Sequence, residues 1–301
     1  MTIMQLKYVI AIANSSSMRE AASKLYVSQP ALSATIRELE EELGIRIFDR
    51  NNKGISITAE GEEFLSYAKQ AVSQYRIIED RYIDSDPDKV RFSVSMQHYV
   101  FAIHAFIDVV KRFDFSKYVF SVVETKTNEV LNNVRDLKSE VGVIAYSTSN
   151  EKVMKKIFRE FQLNFTPLLV KDTFAYVWKD HPLAKRKTVS LEDLKEYPCV
   201  SFDQDSNSEF YLAEEALGEY DFSKLIKSSD RATTSEIMAG LNGYSIGTGI
   251  MTDSIVLRDG FVTIKLKEQD PLTIGYITRQ GHNLSEVGEE YITELEKYRG
   301  K

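Results

Sequence analysis

The chain has 301 residues, of which 43% are hydrophobic and 28% charged, and its formal net charge is −7 at pH 7. This length predicts two domains, and the composition is ordinary for a globular protein. The single cysteine, Cys199, excludes an internal disulfide and fits a reducing compartment. No apolar run approaches the ~18 residues that a membrane span needs. The first residues also lack a signal-peptide pattern, so we expect a cytoplasmic protein with no membrane partner.

The acidic net charge does not by itself exclude a nucleic-acid partner. Residues 1–57 carry 7 Lys or Arg against 6 Asp or Glu, so the deficit of positive charge lies in the rest of the chain. Affinity for DNA follows the phosphates that are contacted, and a small basic patch is sufficient for that.

The N-terminal part of the sequence predicts three helices, over residues 4–13, 18–25 and 29–43, each with an apolar face at helical spacing. Ser17 and Glu20 have the spacing of a capping box for the second helix. Ser28 is an N-cap for the third helix, whose first turn tolerates Pro30. A short helix, a tight turn and a third helix with polar residues at its start indicate a helix-turn-helix, although a plain helical bundle has the same periodicity.

The residue identities decide between these two interpretations. The chain resembles the LysR-type family of transcription regulators in an ordered set of motifs: Ala21-Ala22, Leu25, residues 27–33, Ile36, Leu39-Glu40, Leu43-Gly44 and residues 48–50. Residues 54–61 are similar to the wing and the start of the linker helix in that family. Arg19 departs from the pattern, because the family usually has Ser or Thr there.

The resemblance implies which side chains meet DNA. The expected DNA-binding residues are Ser28, Gln29, Pro30, Ser33, Arg37, Arg50 and Lys53. Gln29, Pro30 and Ser33 are expected in the major groove, where Gln can bond adenine with two hydrogen bonds. The three cationic residues, Arg37, Arg50 and Lys53, are expected to contact phosphates. An ion pair with Glu41 is the alternative role for Arg37, and a solvated loop charge is the alternative for Lys53.

Residues 59–84 are predicted to form a linker helix between a DNA-binding domain, residues 1–58, and a regulatory domain, residues 85–301. Its apolar stripe is Leu65, Ala68, Val72 and Tyr75. The resemblance implies dimerisation through this stripe, and packing within its own domain is the alternative.

Strands that alternate with helices in the C-terminal part indicate a parallel α/β sheet. The resemblance, which is looser here, implies a two-lobed regulatory domain like a periplasmic solute-binding protein. We place lobe I at about residues 90–162 and 266–301 and lobe II at about 163–265, with the chain crossing near 161–166 and 263–267. The expected fold class is thus α/β with an N-terminal winged helix-turn-helix.

An effector is expected between the lobes, at the carboxyl ends of the strands. The predicted effector-binding residues are Ser95, Met96, Gln97, His98, Thr125, Thr127, Tyr146, Ser201, Phe202, Gly247, Thr248 and Gly249. Residues 95–98 precede a helix, whose free N–H groups favour a carboxylate. The alternatives are a turn role for Thr127, core packing for Met96 and Phe202, and a purely structural role for His98.

An enzyme is one rival hypothesis, but the four histidines are scattered and no metal, nucleophile or phosphate-loop motif is present, so neither a metal nor a cofactor is expected. The others are a plain solute-binding protein and an architectural DNA protein. We predict a regulator that binds double-stranded DNA and is modulated by a small carboxylate, such as an amino acid or a sulfur-metabolism intermediate. Family analogy implies a homodimer that assembles into a homotetramer, with RNA polymerase as a further candidate partner.

Overall fold

The computed structural model describes residues 1–51, 54–79, 89–113, 116–204, 212, 214–250 and 260–299. The chain forms two compact units, Met1–Pro87 and Asp88–Lys301. The predicted domain limit at 84/85 falls outside the described residues, and the limits at 58/59 and 84/85 stay predictions. Among the residues described, no helix combines the length and the apolar character needed to cross a bilayer.

The N-terminal unit consists of helices and one small hairpin. Its elements are α1 Ile3–Ala13, α2 Met18–Lys24, α3 Gln29–Leu43, β1 Phe48–Asn51, β2 Gly54–Ile57 and α4 Ala59–Ile78. The core of this unit includes Leu32, Ile36 and Leu39 of α3, all fully buried. The small side chains Ala21 and Ala22 of α2 lie in the same cluster, and they allow α2 and α3 to approach closely.

Side-chain caps fix where these helices begin. Ser28 accepts a hydrogen bond from the N–H of Ala31 and starts α3, and Thr58 does the same for α4. Ser17 accepts from the N–H of Glu20 at 3.1 Å. The predicted capping box is wrong in its second half, because the Glu20 carboxylate accepts from the N–H and hydroxyl of Ser16, at 2.7 and 2.6 Å. The Glu20 side chain thus bonds the residue before the N-cap, Ser16, and not the backbone of Ser17 itself.

The predicted dimerisation stripe is used inside the unit. Leu65, Ala68 and Val72 are all buried, and Ala68 and Val72 pack with Leu6 of α1. The ring of Tyr75 lies 5.0 Å from Nζ of Lys7, also on α1. This packing favours the alternative role of the stripe, within its own domain, and its role in a dimer stays a prediction.

The C-terminal unit contains two mixed sheets with helices around them. Its elements are β3 Val90–Met96, α5 Val100–Arg112, β4 Tyr118–Glu124, α6 Thr127–Arg135, β5 Val141–Ser147, α7 Glu151–Glu160, β6 Leu163–Lys171, β7 Phe174–Trp178, β8 Thr188–Val189, α8 Leu191–Leu194, β9 Cys199–Phe202, β10 Leu225–Ser228, α9 Arg231–Leu241, β11 Tyr244–Gly247, β12 Phe261–Leu266, β13 Leu272–Arg279 and α10 Glu286–Glu296.

The two sheets define two lobes and confirm the expected α/β architecture. Lobe I has the strand order β4-β3-β5-β13-β6, and lobe II has the order β10-β9-β11-β7-β12-β8. The prediction of a parallel sheet is wrong, because both sheets are mixed. β13 runs antiparallel to β5 and β6, and β7 runs antiparallel to β11 and β12. These antiparallel strands flank the two crossings, where the chain changes sheet and reverses its direction.

The predicted lobe limits are displaced in the structure. β6 pairs with β13 from Leu163 to Lys171, so residues 163–171 belong to lobe I. The crossings fall at residues 172–173 and 267–271. There the hydroxyl of Thr173 accepts from the N–H of Asp270 at 2.9 Å and donates to its carbonyl at 3.0 Å. An apolar strand pattern does not reveal which of two sheets the strand joins, and hydrogen-bond pairing with β13 decides it here.

Candidate functional site

The first candidate site is the exposed start of α3. The turn before it carries Tyr26, which is 96% exposed and has a left-handed backbone (φ 56°). Ser28, Gln29 and Pro30 are exposed at the first turn of the helix, as a recognition surface requires. Ser33 is buried, and its hydroxyl accepts from Nε2 of Gln29 at 3.0 Å. Gln29 and Pro30 therefore present the surface that base edges can meet, with Ser33 behind them.

The structure describes the three residues predicted to contact phosphates to different extents. Arg37 is exposed, and in the described part of the chain it makes no ion pair with Glu41, so its side chain is available to a phosphate. Arg50 lies in β1, which pairs antiparallel with β2 as a wing does. Lys53 lies outside the described residues. Arg19 is also exposed, on α2.

The second candidate site is a cavity of about 640 Å³ between the two sheets of the C-terminal unit. Four of the predicted effector-binding residues line it: His98, Phe202, Gly247 and Thr248. The sequence did not single out the other polar lining groups. Those that matter most are Glu124, Tyr176, Glu214, Glu215, Asp230 and Arg231. Such a volume is typical of a small-molecule site.

His98 and Glu214 join the two lobes across this cavity. One carboxylate oxygen of Glu214 accepts from the backbone N–H of His98, and the other lies against Nδ1 of its ring, both at 2.7 Å. The two side chains are only 5% and 6% exposed. The imidazole also stacks on the ring of Phe202, with centroids 3.6 Å apart. Burial lowers the pKa of His98, but the charge and hydrogen bond of Glu214 outweigh it and raise this pKa above its ordinary value.

Further polar contacts cross between the lobes beside the cavity. Arg231, the first residue of α9, forms an ion pair with Glu124 at the end of β4, at 2.7 Å. Nζ of Lys126 lies 2.7 Å from a carboxylate oxygen of Asp203. The N–H of Thr127 donates to Oε1 of Gln204 at 3.0 Å. The lobes are thus held together by side chains of the chain itself.

Glu215 is a partly buried carboxylate at the wall of the cavity. Its Oε1 accepts from the N–H of Phe202 at 2.7 Å. Burial, together with the neighbouring charge of Glu214, raises the pKa of Glu215 to about 8. Glu215 also lines a second cavity, of about 310 Å³, which includes the predicted residue Ser201. The charge of His98 acts on Glu215 in the opposite direction and lowers its pKa, but the imidazole itself is bonded to Glu214.

Ser95, Met96 and Gln97, at the end of β3, bond or pack within lobe I and are not among the residues that line the cavity, whereas the neighbouring His98 is. The hydroxyl of Ser95 lies 2.7 Å from that of Ser139 and accepts from Asn133 at 3.0 Å. Gln97 donates to Thr127 at 2.5 Å and accepts from the N–H of Ala145 at 2.6 Å. Met96 is fully buried in the core. Buried polar groups at a strand end usually bond neighbouring elements in this way, and contact of these three residues with an effector stays a prediction.

Four other predicted residues also lie apart from the lining of the main cavity. Tyr146 packs in lobe I, 5.1 Å from the ring of Phe165. The N–H of Thr125 donates to the carbonyl of Met96, and Thr127 is buried beneath Gln97. Gly249 has φ 69°, and a Cβ there would lie 2.5 Å from the ring of Phe174, so this glycine serves the backbone turn.

The part of the chain that the structure describes holds no group of three or more His, Cys, Asp and Glu side chains able to bind a metal ion. The ring of His181 bonds the carbonyl of Asn242 at 3.0 Å and accepts from the N–H of Leu183. These bonds hold the loop that follows β7.

Comparison with known proteins follows the same division of the chain. Residues 3–62 match the model of the bacterial regulatory helix-turn-helix protein, lysR family. Residues 99–299, about two thirds of the chain, match the LysR substrate binding domain.

Two curated relatives illustrate the range of similarity. The regulator CysB of Burkholderia cenocepacia is 28% identical over 208 residues, which are 67% of this chain and 63% of that protein. This chain therefore spans less than two thirds of the CysB sequence. The dual regulator OxyR of Escherichia coli K12 is 24% identical over 295 residues, 94% of this chain and 91% of that protein.

A solved structure supports the fold. Full-length CbnR complexed with its target DNA has a TM-score of 0.62 at 17% identity, covering 99% of this chain and all of that one. At this identity the similarity establishes the architecture alone, whereas the two family models together span both units. The chain belongs to the LysR family of bacterial regulatory helix-turn-helix proteins.

Proposed function

We propose that this protein is a sequence-specific DNA-binding transcription regulator whose action on DNA is changed by a small molecule. The observation that carries the proposal is the exposed start of α3, where Gln29 and Pro30 lie at a free helix end beside the turn. A side-chain amide in this position can read adenine in the major groove. The β1–β2 hairpin supplies the wing for contacts to the backbone of DNA.

The test of DNA binding is selection from a random pool of duplexes with the full chain. We expect repeated rounds to enrich one motif with two related half-sites, because a symmetric dimer reads two grooves one helical turn apart. The same selection with Gln29→Ala serves as the matched comparison. A pool that stays random with the wild-type chain, while binding remains salt-sensitive, would contradict a sequence-reading function.

The cavity of the C-terminal unit is proposed as the effector site. Its walls come from both lobes, so a ligand there changes the balance between arrangements of the lobes that bind it with different affinity. The footprint on the selected DNA site should therefore change at saturating effector. An identical footprint with and without a bound ligand would count against this coupling.

Dimerisation is proposed through the free face of α4. Tyr67 is 62% exposed and Ile78 is 51% exposed, and their spacing of three helical turns places them on one side. Tyr67→Arg should shift the full chain toward a lower mass in sedimentation, whereas Lys69→Arg, also exposed on α4, should not. The assembly of dimers into a tetramer and contact with RNA polymerase are further parts of the proposal, as are a cytoplasmic location and the lack of catalysis and of any cofactor.

A further inference from the structure

The charge of the large cavity is one-sided. Its described lining residues include five carboxylates, Glu124, Glu214, Glu215, Asp230 and Glu236, against the guanidinium of Arg231 and the imidazole of His98. Both positive groups already have carboxylate partners at 2.7 Å, Glu124 and Glu214. A ligand that enters the cavity therefore meets more carboxyl groups than positive groups.

The position best suited to a ligand carboxylate is occupied by the chain itself. The start of α5 offers the N–H and the ring nitrogen of His98, and both bind the carboxylate of Glu214. An anionic ligand would have to displace Glu214 and leave its buried charge without a partner. Loss of one partner from a buried pair is costly, so this geometry disfavours the carboxylate effector expected from the sequence.

Glu215 is a lining carboxylate that forms no ion pair with a described residue, because the nearby imidazole of His98 is bonded to Glu214. One of its oxygens accepts from the N–H of Phe202, and the backbone N–H of Glu215 itself also donates to the carboxylate, so the described donors to it are neutral amides. By contrast, Asp230 caps α9 through Thr233, and Glu236 is exposed to solvent. A positive group brought in by a ligand would complete the bonding of Glu215.

The rest of the wall suits the body of an organic molecule. Tyr176, Ile246, Phe261 and Leu272 line the cavity together with Phe202. Aromatic faces attract cations, and apolar side chains bury the carbon skeleton to which a cationic group is attached. The cavity volume of about 640 Å³ leaves room for more than an ion and its water shell.

We propose that the cavity selects an organic cation, with an ammonium group at Glu215 and an apolar or aromatic body along Tyr176, Ile246 and Leu272. This inference rests on the proposed function, in which the same cavity is the effector site. Glu214 acts as the determinant that turns the site away from carboxylates. Burial and Glu214 raise the pKa of Glu215, so arrival of an ammonium group favours its ionised form and releases a proton to the buffer.

The experiment is calorimetric titration of the full chain with three compounds that share one aromatic body: phenethylammonium, phenethyl alcohol and hydrocinnamate. We expect the cation to bind about tenfold or more tightly than the other two, as one added charged contact allows. Glu215→Gln keeps the acceptor for Phe202 and removes the charge, so it should abolish this preference. Glu219→Gln, an exposed carboxylate four residues further on, should preserve it.

The outcomes separate this inference from the proposed function. Tighter binding of hydrocinnamate, or equal or absent binding of all three compounds, would overturn the assignment of a cation. A cation preference that survives in Glu215→Gln would also overturn it. DNA binding by the same preparations without any ligand tests the regulator function independently, and its absence would leave the charge preference of the cavity unaffected.

Discussion

The recognition helix and the cavity use polar residues in opposite ways. At the start of α3, Gln29 and Arg37 are exposed, and the side-chain bond that Gln29 makes joins it to Ser33, one helical turn further on. In the cavity, His98 and Glu214 are almost fully buried and satisfy each other. The first surface keeps its polar groups for a partner, whereas the second uses them to hold its own lobes together.

This difference determines what a substitution removes. Exposed polar side chains contribute little to folding, so their loss is felt mainly in binding. A buried ionic pair behaves differently, because removing one member strands a charge away from water. Substitutions at the start of α3 should therefore change the affinity for DNA, whereas substitutions of the buried pair should change the free energy of unfolding.

The largest effect is expected for His98→Ala. It leaves the buried Glu214 beside Glu215 without a counter-charge, which should lower the free energy of unfolding by about 3–5 kcal/mol. Urea denaturation of the full chain measures this change. Lys126→Ala is the matched control, since its ion pair with Asp203 crosses between the same lobes but is 26% and 38% exposed, and it should cost at most about 1 kcal/mol.

A double variant tests whether the cost comes from the stranded charge. His98→Ala with Glu214→Ala removes both members, so it should be less destabilised than His98→Ala alone. Simple addition of the two single costs would instead indicate that packing against Phe202, and not the charge pair, is what His98 contributes.

The second expectation concerns the pH dependence of stability. The pKa values of both Glu215 and His98 are raised on folding. Each group therefore favours the folded state in its protonated form, and that contribution is present at low pH and lost as the pH rises through the folded-state pKa. The melting temperature should fall between about pH 5 and about pH 9, and Glu215→Gln should flatten this slope. A slope that is equally steep in Glu215→Gln would show that Glu215 does not titrate in this range.

The third expectation concerns the exposed surface. Gln29→Ala should weaken binding to the selected site by about 1–3 kcal/mol relative to random DNA, the value of one two-bond contact to a base. Its free energy of unfolding should stay within about 0.5 kcal/mol of wild type, because the side chain is exposed. Equal losses on specific and random DNA would show that Gln29 does not read bases.

How well the sequence predicts each region depends on how far apart in sequence the contacting residues are. α3 spans Gln29–Leu43 as expected, since its cap Ser28 and its left-handed terminator Gly44 act within one turn. The partners His98 and Glu214 are 116 positions apart, and no local pattern connects them. Hydrogen bonds to Ser139 and Ala145 likewise decided that Ser95 and Gln97 face the interior of lobe I.

The stripe on α4 shows a different limit. Leu65, Ala68 and Val72 have the spacing of any helix that packs along another, whether that helix is in the same chain or in a second copy. Their burial against α1 comes from the tertiary fold. A signal for the outer face was nevertheless present, because Tyr67 and Ile78 share the opposite side of the same helix and are both large and apolar.

The smallest expected effect isolates the phosphate contacts from the base contacts. Arg37 is exposed without an ion pair to Glu41 in the described part of the chain, so Arg37→Ala should weaken specific and random DNA alike. The slope of log affinity against log salt should become shallower by about one unit, the value of one neutralised phosphate. Glu41→Ala, a charge change of opposite sign one turn further along α3, is the control and should leave the contact intact. An unchanged salt slope in Arg37→Ala would show that this residue does not contact a phosphate. The phosphate contacts that accompany base reading by Gln29 would then have to come from Arg19, Arg50 or Lys53.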